Sequence, residues 1–469
     1  MRPNILFIMA DQFRADAVGR VGGYTRTPHL DTLAESGWLF ANVFANSAEC
    51  VPSRISLATG LYPHQTGVDR NVECTLNPDY SNWMQAIAAA GYRTSLFGKT
   101  HLHPHAGDIR DRLPLMHRYG LQTVDETVGP RAAADVRSNL TELWEARNVW
   151  DAYRADFKER FATKAFVARP STLPLELYYD CYVGSSARNY LADLTGSDPW
   201  FCWVSFGGPH EPWDAPEPYA SMYAPADMPP PLPRPRQGNR GLLNSLYSSS
   251  TASPQDLSAS DVAAMRANYA GNVTLIDDEI GKIIETLRRR GELDRTLIVF
   301  TSDHGEMNGD YGLLYKANFL DPAIKVPLII APPRTGDAPM AGTDCADLVE
   351  LMDVGATLIA YAEASLPRPS LARSLRASME SPGSAHRSMA VSEFGGHSCV
   401  ITQEIKVEFD PALNPLLAFD RLADPQEQKD VSQDPLYQRP IAELRLRLEA
   451  FRAATPAVSS AVDFPGIQP

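Results

Sequence analysis

The segment NILFIMADQ, residues 4–12, gives the clearest indication of the fold of this 469-residue chain. Its apolar run ends at the carboxylate of Asp11, and a run of this length and composition suits a strand buried on both faces of a parallel sheet. Four further runs have the same character, at residues 93–97, 200–206, 297–301 and 327–331. We therefore predict five strands in one buried sheet.

Helical patterns separate these runs. Residues 82–90 and 261–290 carry apolar residues three and four positions apart, which places them on one face of a helix. Three arginines at 288–290 precede Gly291, an arrangement typical of a helix C-terminus. The alternation of strands and helices predicts an α/β fold with a large doubly wound, mostly parallel sheet flanked by helices.

The last quarter of the chain has a different pattern. Residues 388–392 and 399–408 alternate like half-exposed antiparallel strands, and residues 441–451 resemble an amphipathic helix. We predict a large domain over residues 1–365 and a smaller C-terminal α+β subdomain with an antiparallel sheet over residues 366–469.

Composition excludes several classes of function. Apolar residues make up 44% of the chain, which excludes a disordered protein. The 43 Lys and Arg against 57 Asp and Glu give a net charge of −14, so we expect no binding to nucleic acid or to anionic membranes. The N-terminal apolar run is too short for a signal peptide, and no run approaches the length of a membrane span, which predicts a cytoplasmic protein.

The six cysteines are scattered and form no CxxC pair. This spacing favours free thiols in a reducing compartment over a disulfide framework or a zinc site.

Polar residues follow several of the predicted strands directly. They are Asp11 and Gln12 after the first strand, Lys99 and His101 after the second, His210 after the third, and Asp303 and His304 after the fourth. Because ligands bind at the carboxyl ends of strands in such sheets, we expect these side chains to lie together. The carboxylates and the imidazole suit one divalent cation, while Lys99, His101, His210 and Lys316 supply positive charge and protons for an anionic substrate.

The most specific motif is CVPSR, residues 50–54, followed by LATG at residues 57–60. It resembles the signature of the sulfatases, in which Cys-x-Pro-Ser-Arg precedes a short helix ending in Thr-Gly. Further elements in the family's order extend the resemblance over nearly the whole chain: RPNIL at 2–6, TPHL at 27–30, GKTH at 98–101 and SDHG at 302–305. The resemblance implies an alkaline-phosphatase-like fold and a sulfuric ester hydrolase.

In the sulfatases a separate maturation enzyme oxidises the signature cysteine to formylglycine. The resemblance therefore implies that Cys50 becomes the nucleophile. The hydrated aldehyde offers one oxygen to attack sulfur and a second hydroxyl whose deprotonation expels sulfate. An unmodified cysteine lacks that second hydroxyl.

The resemblance also assigns one divalent metal ion to Asp11, Gln12, Asp303 and His304 together with the residue at position 50. Many sulfatases have Asp-Asp and Asp-Asn where this chain has Asp-Gln and Asp-His. The Gln and His variants resemble choline sulfatases and phosphonate monoester hydrolases. An imidazole ligand suits manganese, so calcium and manganese are both candidates.

The resemblance implies further roles for the remaining residues. Arg54 orients the formylglycine, and Lys99, Lys316 and Asn71 bind the sulfate. His210 contacts the substrate and protonates the leaving oxygen, and His101 acts on the second hydroxyl of the formylglycine.

A quaternary-ammonium substrate would require an aromatic cage with a carboxylate. Trp213 and Tyr219 follow His210, but loop aromatics of this kind usually pack in the core.

We expect hydrolysis of a small aryl, alkyl or sugar sulfate monoester. The alternatives are a phosphonate monoester or phosphodiester hydrolase with the same machinery, and a non-catalytic binding protein. The last is disfavoured because every reactive position is intact. The acidic chain disfavours highly charged sulfated polymers, and its proline-rich loops are candidate contact surfaces of a homo-oligomer.

Overall fold

The computed structural model describes residues 2–164, 166–235, 241–334, 342–368, 370–380, 385–458 and 460–464. Within these ranges the strands are β1 Asn4–Asp11, β2 Trp38–Phe44, β3 Thr75–Leu76, β4 Arg93–Gly98, β5 Thr123–Glu126, β6 Trp200–Pro209, β7 Thr296–Ser302, β8 Leu328–Ala331, β9 Thr343–Glu350, β10 Ala390–Phe394, β11 His397–Ile401, β12 Ile405–Phe409, β13 Pro415–Asp420 and β14 Val462–Asp463. The helices are α1 Gly19–Gly22, α2 Pro28–Glu35, α3 Cys50–Thr59, α4 Pro63–Thr66, α5 Trp83–Ala89, α6 Leu113–Arg118, α7 Asn139–Ala146, α8 Trp150–Thr163, α9 Tyr179–Asp193, α10 Gly241–Tyr247, α11 Ala259–Arg289, α12 Asp321–Ile324, α13 Asp353–Tyr361, α14 Arg376–Glu380 and α15 Gln438–Ala454.

The described strands form a large sheet of eight in the order β5-β4-β6-β1-β7-β8-β2-β9. β1 lies inside it, parallel to β6 on one side and to β7 on the other, and each of its residues is buried. This confirms the predicted doubly wound, mostly parallel sheet. β8 runs antiparallel to both β7 and β2, so its assignment to the parallel set was wrong. Burial on both faces requires an apolar run, whichever way the strand runs in the sheet. The sequence therefore does not indicate whether β8 is parallel or antiparallel to its neighbours.

Three strands of this sheet were not predicted. β5 and β9 are its edge strands, and exposed or half-exposed residues interrupt them. β2, beside β9, likewise carries exposed residues in its middle. Strands of this kind lack the uniform apolar run that marks a strand buried on both faces.

Successive residues of β1 face two separate hydrophobic cores. Leu6 and Ile8 belong to the core that packs beneath α9 and α11, and Phe7 and Met9 belong to the core on the opposite face. The predicted helix 261–290 is α11, which begins after the capping residue Ser258 and ends just before Gly291. The predicted helix 82–90 is α5. Among the described helices, none is both long and apolar enough to cross a lipid bilayer.

The C-terminal strands β10 to β13 form an antiparallel sheet, as predicted. Residues 399–408, however, are not one strand but parts of β11 and β12, joined by a turn. They are also more buried than predicted, because α15 covers one face of the sheet and the large domain covers the other. The helix predicted at 441–451 lies within α15. The boundary at residue 365 stays a prediction.

A buried cluster of charges joins this sheet to the large domain. Arg387, just before β10, donates from Nε to Asp353 at 2.7 Å, and its Nη1 lies 3.3 Å from a carboxylate oxygen of Glu350. All three side chains are almost fully buried. Removing the guanidinium would leave Glu350 and Asp353 in the interior with only the imidazole of His386, 3.0 Å from Asp353, beside them.

We therefore expect Arg387→Leu to lower the free energy of unfolding by about 3–5 kcal/mol. Urea unfolding followed by circular dichroism measures this change. The matched control is Arg439→Leu, because Arg439 forms an exposed pair with Glu443 and should cost less than about 1 kcal/mol. Equal unfolding midpoints for the two variants would contradict the assigned role of Arg387.

Candidate active site

Four potential metal-ligating side chains meet at the carboxyl edge of the large sheet. Asp11 ends β1, Asp303 and His304 follow β7, and Cys50 is the first residue of α3. One ligand atom from each lies within 4.8 Å of the others, and all four residues are buried. The structure thus brings together Asp11, Asp303 and His304 from the predicted strand ends with Cys50 of the CVPSR motif.

Arg54 holds the carboxylate of Asp303 in place. Its Nε donates to Oδ2 of Asp303 at 2.7 Å, and its Nη1 donates to the backbone oxygen of Lys99 at 2.8 Å. The other carboxylate oxygen of Asp303 accepts from the backbone N–H groups of Gln12 and His304. Its Nη1 also donates to the hydroxyl of Ser205 in β6 at 3.2 Å. Arg54 thus links β4, β6 and β7, and these hydrogen bonds go to Asp303 and the strands rather than to Cys50.

Positive charge surrounds the sulfur of Cys50. Sγ lies 3.0 Å from Nε2 of His304 and 3.7 Å from Nζ of Lys316. Burial alone would raise the pKa of Cys50, but the charges of Lys316, Lys99 and His304 outweigh burial and lower that pKa well below its usual value. Position 50 is therefore built to hold a negatively charged group.

The two lysines also contact the residues that end β1. Nζ of Lys99 donates to Oδ2 of Asp11, and Nζ of Lys316 donates to Oε1 of Gln12. Burial and the nearby Cys50 raise the pKa of Asp11, but Lys99, His210 and Arg54 outweigh them and hold it well below its usual value. Asp11 is therefore ionised at neutral pH.

Two residues of the site have left-handed backbone conformations that non-glycine residues rarely adopt: Gln12 with φ of 65° and His101 with φ of 57°. Gly98 precedes Lys99 with φ of 105°, and a Cβ there would lie 1.9 Å from the backbone oxygen of Ser205. Only glycine permits this close approach of β4 to β6. The strand end thereby turns Lys99 and His101 toward the site.

The pKa of His101 falls to about 4, because burial and the charge of Lys99 disfavour its protonation. The ring is therefore neutral at pH 7. Its Nδ1 is buried without a hydrogen-bond partner among the described residues. A neutral imidazole with this placement can accept a proton from a group bound at position 50.

His210 and Asn71 lie beside the cluster: His210 is near enough to Asp11 for its charge to lower the pKa of that carboxyl, and Asn71 lies beside Cys50. The Nδ1 atom of His210 lies 2.8 Å from the backbone oxygen of Glu211, and the ring is only 8% exposed. The side-chain oxygen of Asn71 accepts from the backbone N–H of Val51, directly beside Cys50, while the residue itself is exposed. Both predicted substrate contacts are thus next to the buried centre.

Sequence reasoning missed two buried carboxylates, Glu211 and Glu306. The Nε2 atom of Gln12 donates to both, at 2.8 Å to Glu211. Burial and the charge of Glu211 raise the pKa of Glu306 to about 7. Their position directly after His210 and two residues after His304 was the available signal. They fix the amide of Gln12, so its oxygen points toward Lys316.

The donor set fits a divalent cation. Asp11 and Asp303 supply carboxylate oxygens, Gln12 an amide oxygen and His304 an imidazole nitrogen. Carboxylates buried this completely require cations in contact with them, and here Arg54 and Lys99 supply part of that charge.

Comparison with known proteins is consistent with this geometry. The model of the family described as Sulfatase matches residues 3–364. The chain is 30% identical to the multifunctional alkaline phosphatase superfamily protein PehA of Trinickia caryophylli over 93% of this chain and 92% of that protein. It is 27% identical to an arylsulfatase of Clostridium perfringens over 95% and 93% of the two chains. The structure of the phosphonate monoester hydrolase of Agrobacterium radiobacter superposes with a TM-score of 0.77 at 27% identity, covering 97% of this chain and 96% of that one.

The charges around Cys50 predict an unusually acidic thiol in the unmodified, EDTA-treated protein. A lowered pKa means that the thiolate persists as the pH falls, so alkylation of Cys50 by iodoacetamide should be nearly as fast at about pH 6.5 as at about pH 8. An ordinary thiol, with a pKa of about 8.5, is only about 1% ionised at the lower pH. Peptide mass spectrometry of quenched samples measures the rate.

Two comparisons control this experiment. Lys316→Gln removes the nearest ammonium group and should slow alkylation of Cys50 at the lower pH. Cys345 provides an internal reference, because burial raises its pKa to about 11. A wild-type Cys50 whose rate falls in step with the thiolate fraction of an ordinary thiol would contradict the assigned electrostatics.

Proposed function

Since the chain belongs to the sulfatase family of sulfuric ester hydrolases, we propose that it hydrolyses a small sulfate monoester with formylglycine, formed from Cys50 by a maturation enzyme, as the nucleophile. The observation that carries this proposal is the meeting of Cys50 with Asp11, Asp303 and His304 inside a ring of cationic side chains. Such a site matches a substrate that brings negative charge to a buried nucleophile.

The hydrate of formylglycine supplies one oxygen for attack and a second hydroxyl that permits release of sulfate. Asp11, Gln12, Asp303 and His304 would hold one divalent metal ion, calcium or manganese. When bound, that ion supplies a Lewis acid that neutralises sulfate oxygens and lowers the pKa of the nucleophile.

The protein's own cations bind and orient the anion. Lys316 lies 3.7 Å from Sγ of Cys50, and Lys99 contacts Asp11 on the other side of the centre. Their ammonium groups stabilise negative charge that develops on the sulfate oxygens. The amide of Asn71, fixed at the start of α3, is placed to donate to the same anion. Arg54 acts as a positioning residue through Asp303.

Two histidines divide the proton transfers. His210 protonates the leaving oxygen, and its Nδ1 contact with the backbone of Glu211 orients the ring so that Nε2 is free for the substrate. His101, neutral because of its lowered pKa, accepts the proton from the second hydroxyl at position 50. The backbone of His101 is held in a strained conformation, which fixes the ring beside that position.

A second candidate function is hydrolysis of phosphonate monoesters or phosphodiesters by the same residues. It is favoured by the Asp-Gln and Asp-His pairs and by the similarity to the phosphonate monoester hydrolase of Agrobacterium radiobacter. Sulfate monoesters carry one negative charge, as do the phosphonate monoesters and phosphodiesters. The net charge at the reacting group therefore does not separate the two functions.

Rates on nitrophenyl sulfate and on a nitrophenyl phosphonate monoester decide between them. After co-expression with a maturation enzyme, we expect the peptide carrying position 50 to have the mass of formylglycine and kcat/KM to be higher for the sulfate. Cys50→Ala should lose about a thousandfold or more of this activity. Cys345→Ala, which changes a half-buried thiol of the edge strand β9, is the matched control. A dominant phosphonate activity would select the second candidate, and full activity of Cys50→Ala would refute both.

The role of His210 predicts a dependence on the leaving group. His210→Gln should lower kcat/KM on phenyl sulfate about 100-fold or more, because a basic phenolate requires protonation as it departs. The loss on nitrophenyl sulfate should be about tenfold, since that phenolate leaves without much assistance. His117→Gln, which changes an exposed histidine of α6, is the control. Equal losses on both esters would instead assign His210 to binding.

A further inference from the structure

Arg131 lies in the segment that follows β5 and makes three contacts with the rim of the site. Its Nη1 donates to Oε1 of Glu211 at 3.0 Å. Its guanidinium carbon lies 4.6 Å from the ring centre of Phe161 and 6.0 Å from that of Tyr315. The side chain is 46% exposed, whereas that of Glu211 is 1% exposed. Arg131 is therefore fixed by Glu211 and the two rings on one side, while its other side is exposed to solvent.

These contacts connect Arg131 to the groups that handle the leaving oxygen. Glu211 follows His210 in sequence, and Tyr315 precedes Lys316. Two residues before Arg131, a Cβ added to Gly129 would lie 3.3 Å from Nζ of Lys99. The segment that carries Arg131 thus passes directly over Lys99 and reaches the carboxylate beside His210. With His210 as the proton donor to the leaving oxygen, as proposed above, this is the side of the site that faces the alcohol half of the substrate.

Aromatic rings beside a carboxylate are the arrangement that binds a quaternary ammonium group. Here the rings of Phe161 and Tyr315 lie beside Glu211, and Trp213 stacks on Tyr315 at 5.9 Å between ring centres. The guanidinium of Arg131 already lies over two of these rings and on that carboxylate. A second cation brought to the same place would meet a resident positive charge.

The remaining N–H groups of Arg131 have no protein partner in the part of the chain that the structure describes. A guanidinium presents its donors in a planar fork that matches a carboxylate with two parallel hydrogen bonds. Stacking on the rings and the bond to Glu211 fix the plane of that fork. The exposed donors are therefore preorganised for an anion on the substrate.

We propose that Arg131 is the specificity-determining residue for the leaving alcohol, selecting esters whose alcohol carries a carboxylate and rejecting those whose alcohol carries a quaternary ammonium group. This inference rests on the proposed function, because it concerns the alcohol half of the same ester. It also gives Trp213 a role as packing behind Tyr315 rather than as a wall of a choline pocket.

The test compares 4-carboxyphenyl sulfate with 4-(trimethylammonio)phenyl sulfate. The two phenols differ in intrinsic reactivity, so the readout is the change in the ratio of their kcat/KM values on substitution, in which that difference cancels. Arg131→Gln should lower the ratio of carboxylate to ammonium ester on the order of 30-fold or more, because an attraction and a repulsion are removed together. Arg131→Lys keeps the charge without the fork and should fall between Gln and wild type.

Arg376→Gln is the matched control. Arg376 is likewise about half exposed, stacks on Tyr361 at 5.5 Å and pairs with Glu380 at 2.6 Å, but it lies in α14. Its substitution should leave the ratio unchanged. Circular dichroism verifies that each variant is folded. If Arg131→Gln does not fold, the kcat/KM ratio of Arg131→Lys tests the inference.

The outcomes separate this inference from the proposed function. If the wild type hydrolyses the esters but Arg131→Gln and Arg131→Lys leave the ratio of kcat/KM values unchanged, this inference is wrong and the proposed function stands. If the wild type prefers phosphonates, the same two phenols are compared as phosphonate monoesters, and the expected change in the ratio is the same. Turnover of neither class of ester would overturn the proposed function and this inference with it.

Discussion

The burial of two carboxylates, Asp11 and Asp303, at one edge of the sheet is the constraint on which the site depends. Each is completely buried, and an isolated ionised carboxylate in that position is strongly unfavourable. Arg54 and Lys99 therefore have to reach the same point, and a divalent cation held by the same carboxylates would complete the compensation. This requirement explains why Arg54, itself buried, spans the ends of three strands. The fold brings the charges together, and their mutual neutralisation in turn holds the strand ends in register.

The C-terminal sheet contributes to the site through the segment between α3 and β3. The carboxylate of Glu393 in β10 accepts from the backbone N–H of His64 and also lies 2.8 Å from Nδ1 of its ring. The backbone N–H groups of Gly395 and Gly396 donate to Asp69. Both glycines have positive φ, which lets their N–H groups turn toward that residue. Asp69 lies two residues before Asn71, so the hairpin of β10 and β11 supports the loop that places an amide beside Cys50. The antiparallel C-terminal sheet is therefore linked by hydrogen bonds to the loop that carries Asn71.

Much of the fold and the centre of the site could be predicted because their residues are constrained in type. A strand buried on both faces has to be apolar, as residues 5–9 are, and carboxylates directly after such strands, as at Asp11 and Asp303, need positive charge beside them. The direction of β8 could not be predicted, because its composition is the same either way. Glu211 and Glu306 stand near predicted residues in sequence, but their shared partner, the side chain of Gln12, is far away in sequence, so their role follows only from the structure. The role of Arg131 could not be predicted for the same reason, because only the tertiary structure brings Phe161, Glu211 and Tyr315 into contact with it.

The charge of the chain illustrates why local arrangement outweighs composition. A net charge of −14 would repel an anionic substrate if it were spread evenly, yet Lys99, Lys316 and Arg54 all lie at the carboxyl edge of the sheet. Within a low-dielectric interior these few cations act over short distances with little screening, whereas surface carboxylates a Debye length away are largely screened. The acidic surface therefore has little effect on a small substrate already in the site. We expect it to oppose the approach of long polyanions, because their charges extend over a large part of the acidic surface.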